Sequence, residues 1–204
     1  MKITSIKQQV AKKDRYSIYV DDSYSFSLSE GALLESKIYN GQELNIEQIG
    51  EFKKLSADDK IYASALRFAA MRAKTRWEVE FYLQRKDASP ALSECILNML
   101  SNLKIIDDFE YAKTFIRDRN LLRPSSKRKI QMDLRKKRID SKTIDRAMDE
   151  EANKDDSSAL QAMIAKKRRQ SKYQDDTKLM QYLARQGFGY DDIKTAIRNE
   201  AEQL

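Results

Sequence analysis

Arginine and lysine are the reactive side chains this chain holds in excess, and the residue types it lacks narrow what else it can do. None of its 204 residues is histidine, which removes Ser-His-Asp and Cys-His catalysis and imidazole metal ligation. Cys95 is the single cysteine, so neither an internal disulfide nor a thiolate zinc site can form, and a reducing compartment is expected. Five glycines supply no phosphate loop of the G-x-x-x-x-G-K-S/T or G-x-G-x-x-G kind. Ser126-Lys127 could in principle form a Ser-Lys nucleophile, but it reads more simply as a helix cap followed by a basic side chain. No catalytic residue, metal site or cofactor is expected.

Six Asp-Asp pairs, at 21–22, 58–59, 107–108, 155–156, 175–176 and 191–192, raise the question of a metal site. Five of them fall at or near expected helix starts, where carboxylates accept from free amide N–H groups and oppose the helix dipole. Acids spread so evenly do not converge on one ion.

The basic residues do converge. Lys and Arg number 39 against 32 Asp and Glu, a formal charge of +7. Residues 111–150 hold 13 basic and 6 acidic side chains, so that stretch alone carries the whole surplus. Smaller clusters stand at Lys12-Lys13-Arg15 and Lys166-Lys167-Arg168-Arg169. On a helix opening near Ser125-Ser126, Ile130 and Leu134 mark the buried stripe. Arg128, Gln131, Arg135 and Arg138 then share an outward strip, beside a second strip of Lys129, Met132 and Lys136. The preceding helix, Phe109–Arg119, adds Lys113, Arg117 and Arg119, and Arg123 lies in the connecting loop. The candidate binding residues are therefore Arg117, Arg119, Arg123, Lys127, Arg128, Lys129, Arg135, Lys136, Lys137 and Arg138, with Lys166, Lys167, Arg168 and Arg169 as a secondary cluster. Such a patch fits an anionic partner held by charge-assisted hydrogen bonds that weaken with salt. Phe109, Tyr111 and Phe115 are expected to face the core, so base stacking is not indicated.

The elements that position these residues are mainly helical. Near the start, Tyr16–Val20 and Tyr24–Leu28 alternate in polarity about Asp21-Asp22, which predicts a β-hairpin, with Ile3–Gln8 as a candidate third strand. Ser29 caps a helix to about Ser36, and Asn45–Gln48 forms a capping box opening a helix to about Lys54. Ser56–Asp59 is expected to open the next, Thr75–Glu78 is another capping box, and Ser89-Pro90 starts the helix after that. Trp77, the methionines and Cys95 are expected in the core.

A pattern of one helix, a turn and a second helix then recurs. Leu83, Leu134 and Leu183 anchor three copies spaced 51 and 49 residues apart, with Ile96, Ala147 and Ala196 equivalent in the helix that follows. Repeats of this length stack on their neighbours. The fold class expected is mainly α, with three tandem three-helix repeats of about 50 residues behind a small β-hairpin. The segments are 1–55, 56–106, 107–152 and 153–204. No signal peptide or apolar membrane span is visible, so a soluble cytoplasmic protein is expected, and a monomer.

The hairpin segments Ile3–Ile6 and Arg15–Asp22, Ala65–Phe68, Trp77–Lys86, Leu103–Asp108 with Tyr111-Ala112, Phe115–Arg119 and Tyr182–Phe188 together resemble the RecX family, bacterial regulators of the RecA recombinase. The resemblance covers nearly the whole chain. It implies an elongated, curved array of repeats lying in the groove of the RecA–DNA filament and impeding its extension, ATP turnover, strand exchange and co-protease access. It thus implies a role in DNA repair, homologous recombination and the SOS response, with DNA met mainly through the filament. Family members usually carry Gly after the basic pair closing the second helix of each repeat. Only Gly187 keeps it, with Asp87 and Arg138 in the other copies. The alternative from another class is a helical repeat protein that binds DNA independently of RecA.

Overall fold

The computed structural model describes residues 1–122, 124–151 and 156–201. The chain forms two compact units, Met1–Arg72 with Val79–Ile105, and Ala73–Glu78 with Ile106–Leu204. Three strands open the first unit: β1 (Ile3–Gln8), β2 (Arg15–Val20) and β3 (Ser23–Ser29). They pair antiparallel in the order β1-β2-β3, so the candidate third strand is present. Ile18 sits opposite Ile6 on one side and Phe26 on the other. Asp21 and Asp22 occupy the two-residue turn at φ 46° and 60°, the left-handed pair a tight hairpin needs and Asp tolerates. A three-stranded sheet is marginal alone. This one buries Ile3, Ile18, Val20, Phe26 and Leu28 against Ile38, Leu44 and Ile49.

Two helices complete that packing, α1 (Glu30–Ser36) and α2 (Ile46–Ala70). Ser29 caps the first and the Asn45/Gln48 box opens the second, as expected. α2 does not stop near Lys54, however. It runs unbroken through the expected 55/56 junction, and Ser56-Ala57-Asp58-Asp59 lies in its middle. The reason is tertiary. Ser56 Oγ donates to the Ser27 carbonyl at 2.6 Å, and Asp59 accepts from the Ser29 amide and hydroxyl at 2.9 and 2.6 Å. Asp59 also pairs with Arg15 at 2.8 Å, both side chains being buried. Arg15 in turn donates to the Ser27 carbonyl. Residue types that commonly cap helices here bolt α2 to β2 and β3, and Arg15 leaves the Lys12-Lys13-Arg15 surface cluster.

The remaining helices are α3 (Arg76–Gln84), α4 (Pro90–Asn102), α5 (Asp108–Leu122), α6 (Lys127–Lys136), α7 (Ser141–Glu150), α8 (Asp156–Arg168), α9 (Asp176–Arg185) and α10 (Tyr190–Ala201). The fold is mainly α, with three-helix repeats following a small sheet. Their register repeats residue by residue. Thr75, Ser126 and Asp175 each cap a middle helix by accepting from the amide three residues on. Leu83, Leu134 and Leu183 are fully buried. Asp87, Arg138 and Gly187 all lie at positive φ, and each is followed by an amide that reaches back to the anchor Leu carbonyl. That is the left-handed closure that glycine makes at least cost. The turn before Ile139 therefore keeps its geometry although Arg138 is not glycine.

Several side chains expected in the core are not there. Val79 and Leu83 define the buried face of α3, and Trp77, two residues before Val79, points away with 38% of its surface exposed. On α4 the buried face is Ser93, Ile96, Leu97 and Leu100, which puts Cys95 on the opposite, exposed side. Met71, Met99 and Met132 are exposed as well. Among the described residues no helix is long and apolar enough to cross a membrane.

Removing Asp59 leaves the Arg15 charge buried without its carboxylate, so Asp59→Ala should lower unfolding stability by about 3 kcal/mol in urea titrations. The double change Arg15→Met/Asp59→Leu should recover most of that loss. At the repeat closures, Arg138→Gly should raise stability by about 1 kcal/mol, whereas Gly187→Ala should lower it, since a Cβ there would lie 2.5 Å from Ser126 Oγ.

Candidate anion-binding surface

The second unit carries the basic residues on two packed cores. Ala112, Ile116, Ile130, Leu134, Ile139, Ile144 and Ala147 form one, with Phe109, Tyr111 and Phe115 packed against it. Leu160, Met163, Ile164, Leu179, Leu183, Phe188 and Ile193 belong to the other. Helix ends lock them together. The Ser126 amide and hydroxyl both donate to the Gln186 carbonyl, at 3.3 and 3.1 Å. The first amide of α6, Lys127, donates to Asp156 at 3.0 Å. The same link occurs one repeat earlier, where the Arg76 amide donates to Asp108 at 2.7 Å. Burial pushes the Asp108 carboxyl above its usual 3.8, against that hydrogen bond. The second Asp of the pairs 107–108 and 155–156 thus accepts from the helix start of the preceding repeat. Asp107 and Asp175 cap their own helices.

The expected site residues divide by what surrounds them. Arg117 is held bidentately by the buried Glu151, at 2.8 and 2.6 Å. Asp133 gathers three cations, Arg119 at 3.4 Å, Lys129 at 3.5 Å and Lys136 at 3.8 Å. Lys137 bonds Glu78 at 2.7 Å. Burial raises the Glu78 carboxyl, but the Lys137 hydrogen bond and the Thr75 amide outweigh it and hold the group below 4.5. Lys127, Arg128, Arg135 and Arg138 remain exposed, with no acidic partner among the described residues. Arg128 and Arg135 stand two turns apart on one face of α6, opposite Ile130 and Leu134. Arg138 follows just beyond the helix, in the left-handed conformation. Arg123 lies outside the described residues.

The secondary cluster is divided similarly. Arg168 is engaged, bonding Asp176 at 2.6 Å, Glu200 at 3.0 Å and the carbonyls of Tyr173 and Gln174. It ties α8 to α9 and α10. Lys166 and Lys167 have no carboxylate partner among the described residues. Both line a groove of about 370 Å³ together with Arg119, Leu122, Met163 and Tyr182. Folding thereby sets Arg119 of the main cluster beside two lysines nearly fifty residues away. Sequence spacing holds no signal for that meeting, because it depends on how one repeat docks on the next. Exposed ion pairs contribute little to stability, so the half-exposed pairs about Asp133 act chiefly by lowering the net charge of the strip. The arrangement offers fixed cations and hydrogen-bond donors. Among the described residues no group of acids or cysteine is placed to hold a metal ion.

The Arg117 hydrogen bond holds the Glu151 carboxyl below its usual 4.5. A depressed folded-state value adds stability above the unfolded one, and that stability is lost as pH falls through the folded value. Urea midpoints should therefore decline between pH 5 and 3 less steeply in Arg117→Gln than in the unaltered protein.

Three sequence families match in chain order. The regulatory protein RecX N-terminal domain matches residues 1–45, the second three-helix domain of RecX matches 107–148, and the third matches 155–197. Regulatory protein RecX of Listeria monocytogenes is 28% identical over 208 residues, covering 100% of this chain and 77% of that protein. Regulatory protein RecX of Lactobacillus johnsonii is 32% identical over 137 residues, covering 67% of this chain and 50% of its own. A crystal structure of regulatory protein RecX superposes with a TM-score of 0.76 at 25% identity, over 97% of this chain and 98% of that one. RecX from Lactobacillus salivarius gives 0.59 at 27% identity, over 72% and 98%. The matched segments coincide with the sheet, with α5–α7 and with α8–α10, and the chain belongs to the RecX family of regulatory proteins.

Proposed function

We propose that this protein regulates the RecA recombinase by binding the RecA–DNA filament in its groove, and that it thereby restrains filament extension, ATP turnover, strand exchange and co-protease access in recombination and repair. RecA is the partner the family implies. DNA is met mainly as phosphate within the filament, and the protein acts by occupancy rather than by chemistry. One observation carries the assignment of the contact: Lys127, Arg128, Arg135 and Arg138 are exposed and lack acidic partners among the described residues, while the neighbouring cations are paired. Arg138 supports it further. A non-glycine residue at φ 61° costs about 1 kcal/mol, and the exposed arginine at that position fits a contact that uses its charge.

The test is DNA-dependent RecA ATPase measured against rising amounts of the protein. Inhibition by the unaltered chain, reduced about tenfold in potency by Arg128→Glu/Arg135→Glu/Arg138→Glu at unchanged melting temperature, is the expected result. No inhibition at several-fold excess would remove the function. Unchanged inhibition by the triple variant would remove this surface from it. A DNA titration without RecA tests the second reading, since tight RecA-independent binding with a steep salt dependence would favour a direct DNA-binding protein.

A further inference from the structure

The groove beside the strip differs from it in chemistry. Its wall carries Arg119, Lys166 and Lys167, while Leu122, Pro124 and Met163 supply an apolar lining. We propose that it docks an acidic peptide segment of a partner protein, one that inserts an apolar side chain between the cations. The inference rests on the reading of this protein as a partner-binding regulator, and adds a second contact of different specificity.

Three observations select that occupant. The cations there are under-neutralised: Lys166 and Lys167 have no carboxylate among the described residues, and Arg119 holds Asp133 only at 3.4 Å. The adjacent Arg168, by contrast, is paired with Asp176 and Glu200. Carboxylates of a ligand would complete the lysines through charge-assisted hydrogen bonds. The lining is also apolar where a phosphate backbone has nothing to bury. Leu122 is 66% exposed beside the buried Met163, so an inserted apolar side chain would remove the Leu122 surface from water. Finally, the one aromatic ring in the groove is already covered. Tyr182 has the Lys167 ammonium 4.5 Å from its centroid and the Tyr173 ring at 5.2 Å, which leaves it poorly placed to stack a nucleobase. At about 370 Å³ the groove falls within the ~300–1,000 Å³ range of ligand-binding pockets.

The experiment is fluorescence anisotropy of the full-length protein with a labelled peptide rich in Asp and Glu and carrying one Phe. The same peptide with Ser in place of Phe, and a labelled single-stranded oligonucleotide, are measured beside it. Saturable binding of the Phe peptide is expected, about tenfold tighter than the Ser peptide. Lys166→Glu and Leu122→Ser, both at exposed positions, should each weaken it about tenfold. Arg128→Glu/Arg135→Glu should bind the peptide as the unaltered chain does. Absence of saturable binding, equal affinity for the Phe and Ser peptides, or indifference to Lys166→Glu and Leu122→Ser would overturn the proposal. So would an oligonucleotide that competes the peptide away on equal terms, which would make the groove a nucleic-acid site. RecA ATPase is assayed separately on the unaltered protein: loss of inhibition there refutes the RecA reading, whereas failure of the peptide alone refutes only the groove.

Discussion

The start of α6 is the point on which the second unit depends. A helix begins with four amides that lack partners inside it, and here the adjoining repeat receives two of them, those of Ser126 and Lys127. Ser126 Oγ caps the Lys129 amide while donating to the Gln186 carbonyl, and the Lys127 amide goes to Asp156. The capping that forms the helix and the contact that docks the next repeat are one set of hydrogen bonds. Because Arg76 and Asp108 repeat the arrangement, the joint is a property of the repeat itself. It also explains Gly187. The glycine closes α9 in the left-handed conformation, and its missing side chain leaves room for Ser126 Oγ and the Lys129 stem. Asp87 and Arg138 show that left-handed closure alone does not demand glycine.

Charge is sorted by the same docking. A forty-residue stretch with a surplus of seven becomes a surface on which some cations are held by carboxylates and others are not. Glu151 holds Arg117 of α5, Asp133 within α6 gathers Arg119, Lys129 and Lys136, and Glu78 takes Lys137. Lys127, Arg128, Arg135 and Arg138 keep no acidic partner among the described residues, and around the edge of the repeat two lysines of α8 stand beside an apolar lining. Rigid helices suit this role, since a cation held by packed backbone loses less freedom on binding than one on a mobile loop.

The sheet shows how local signals can mislead. Ser56-Ala57-Asp58-Asp59 has the composition of a helix start, yet its hydroxyl and carboxylate are turned to Ser27, Ser29 and Arg15. Polar side chains that cap helices can equally bond another backbone, and the identity of that other backbone is not a local property. Trp77 and Cys95 fail for a related reason. Apolar character alone does not say which stripe of α3 or α4 meets a neighbour, and that stripe runs through Val79 and Ser93.

From sequence alone came the helical class, the hairpin with its Asp-Asp turn, the caps at Ser29, Asn45, Thr75, Ser89 and Ser126, and the register of Leu83, Leu134 and Leu183. These follow from periodicity and from amide donors that local side chains must satisfy, which are short-range rules. The concentration of cations in residues 111–150 was equally legible, because it is a count. Which of those cations stay unpaired was not, nor was the meeting of Arg119 with Lys166 and Lys167 about one groove. Those outcomes required the docking of one repeat on another, where the deciding contacts, a buried hydroxyl, a missing Cβ and a carboxylate on the adjoining helix start, join residues far apart in the chain.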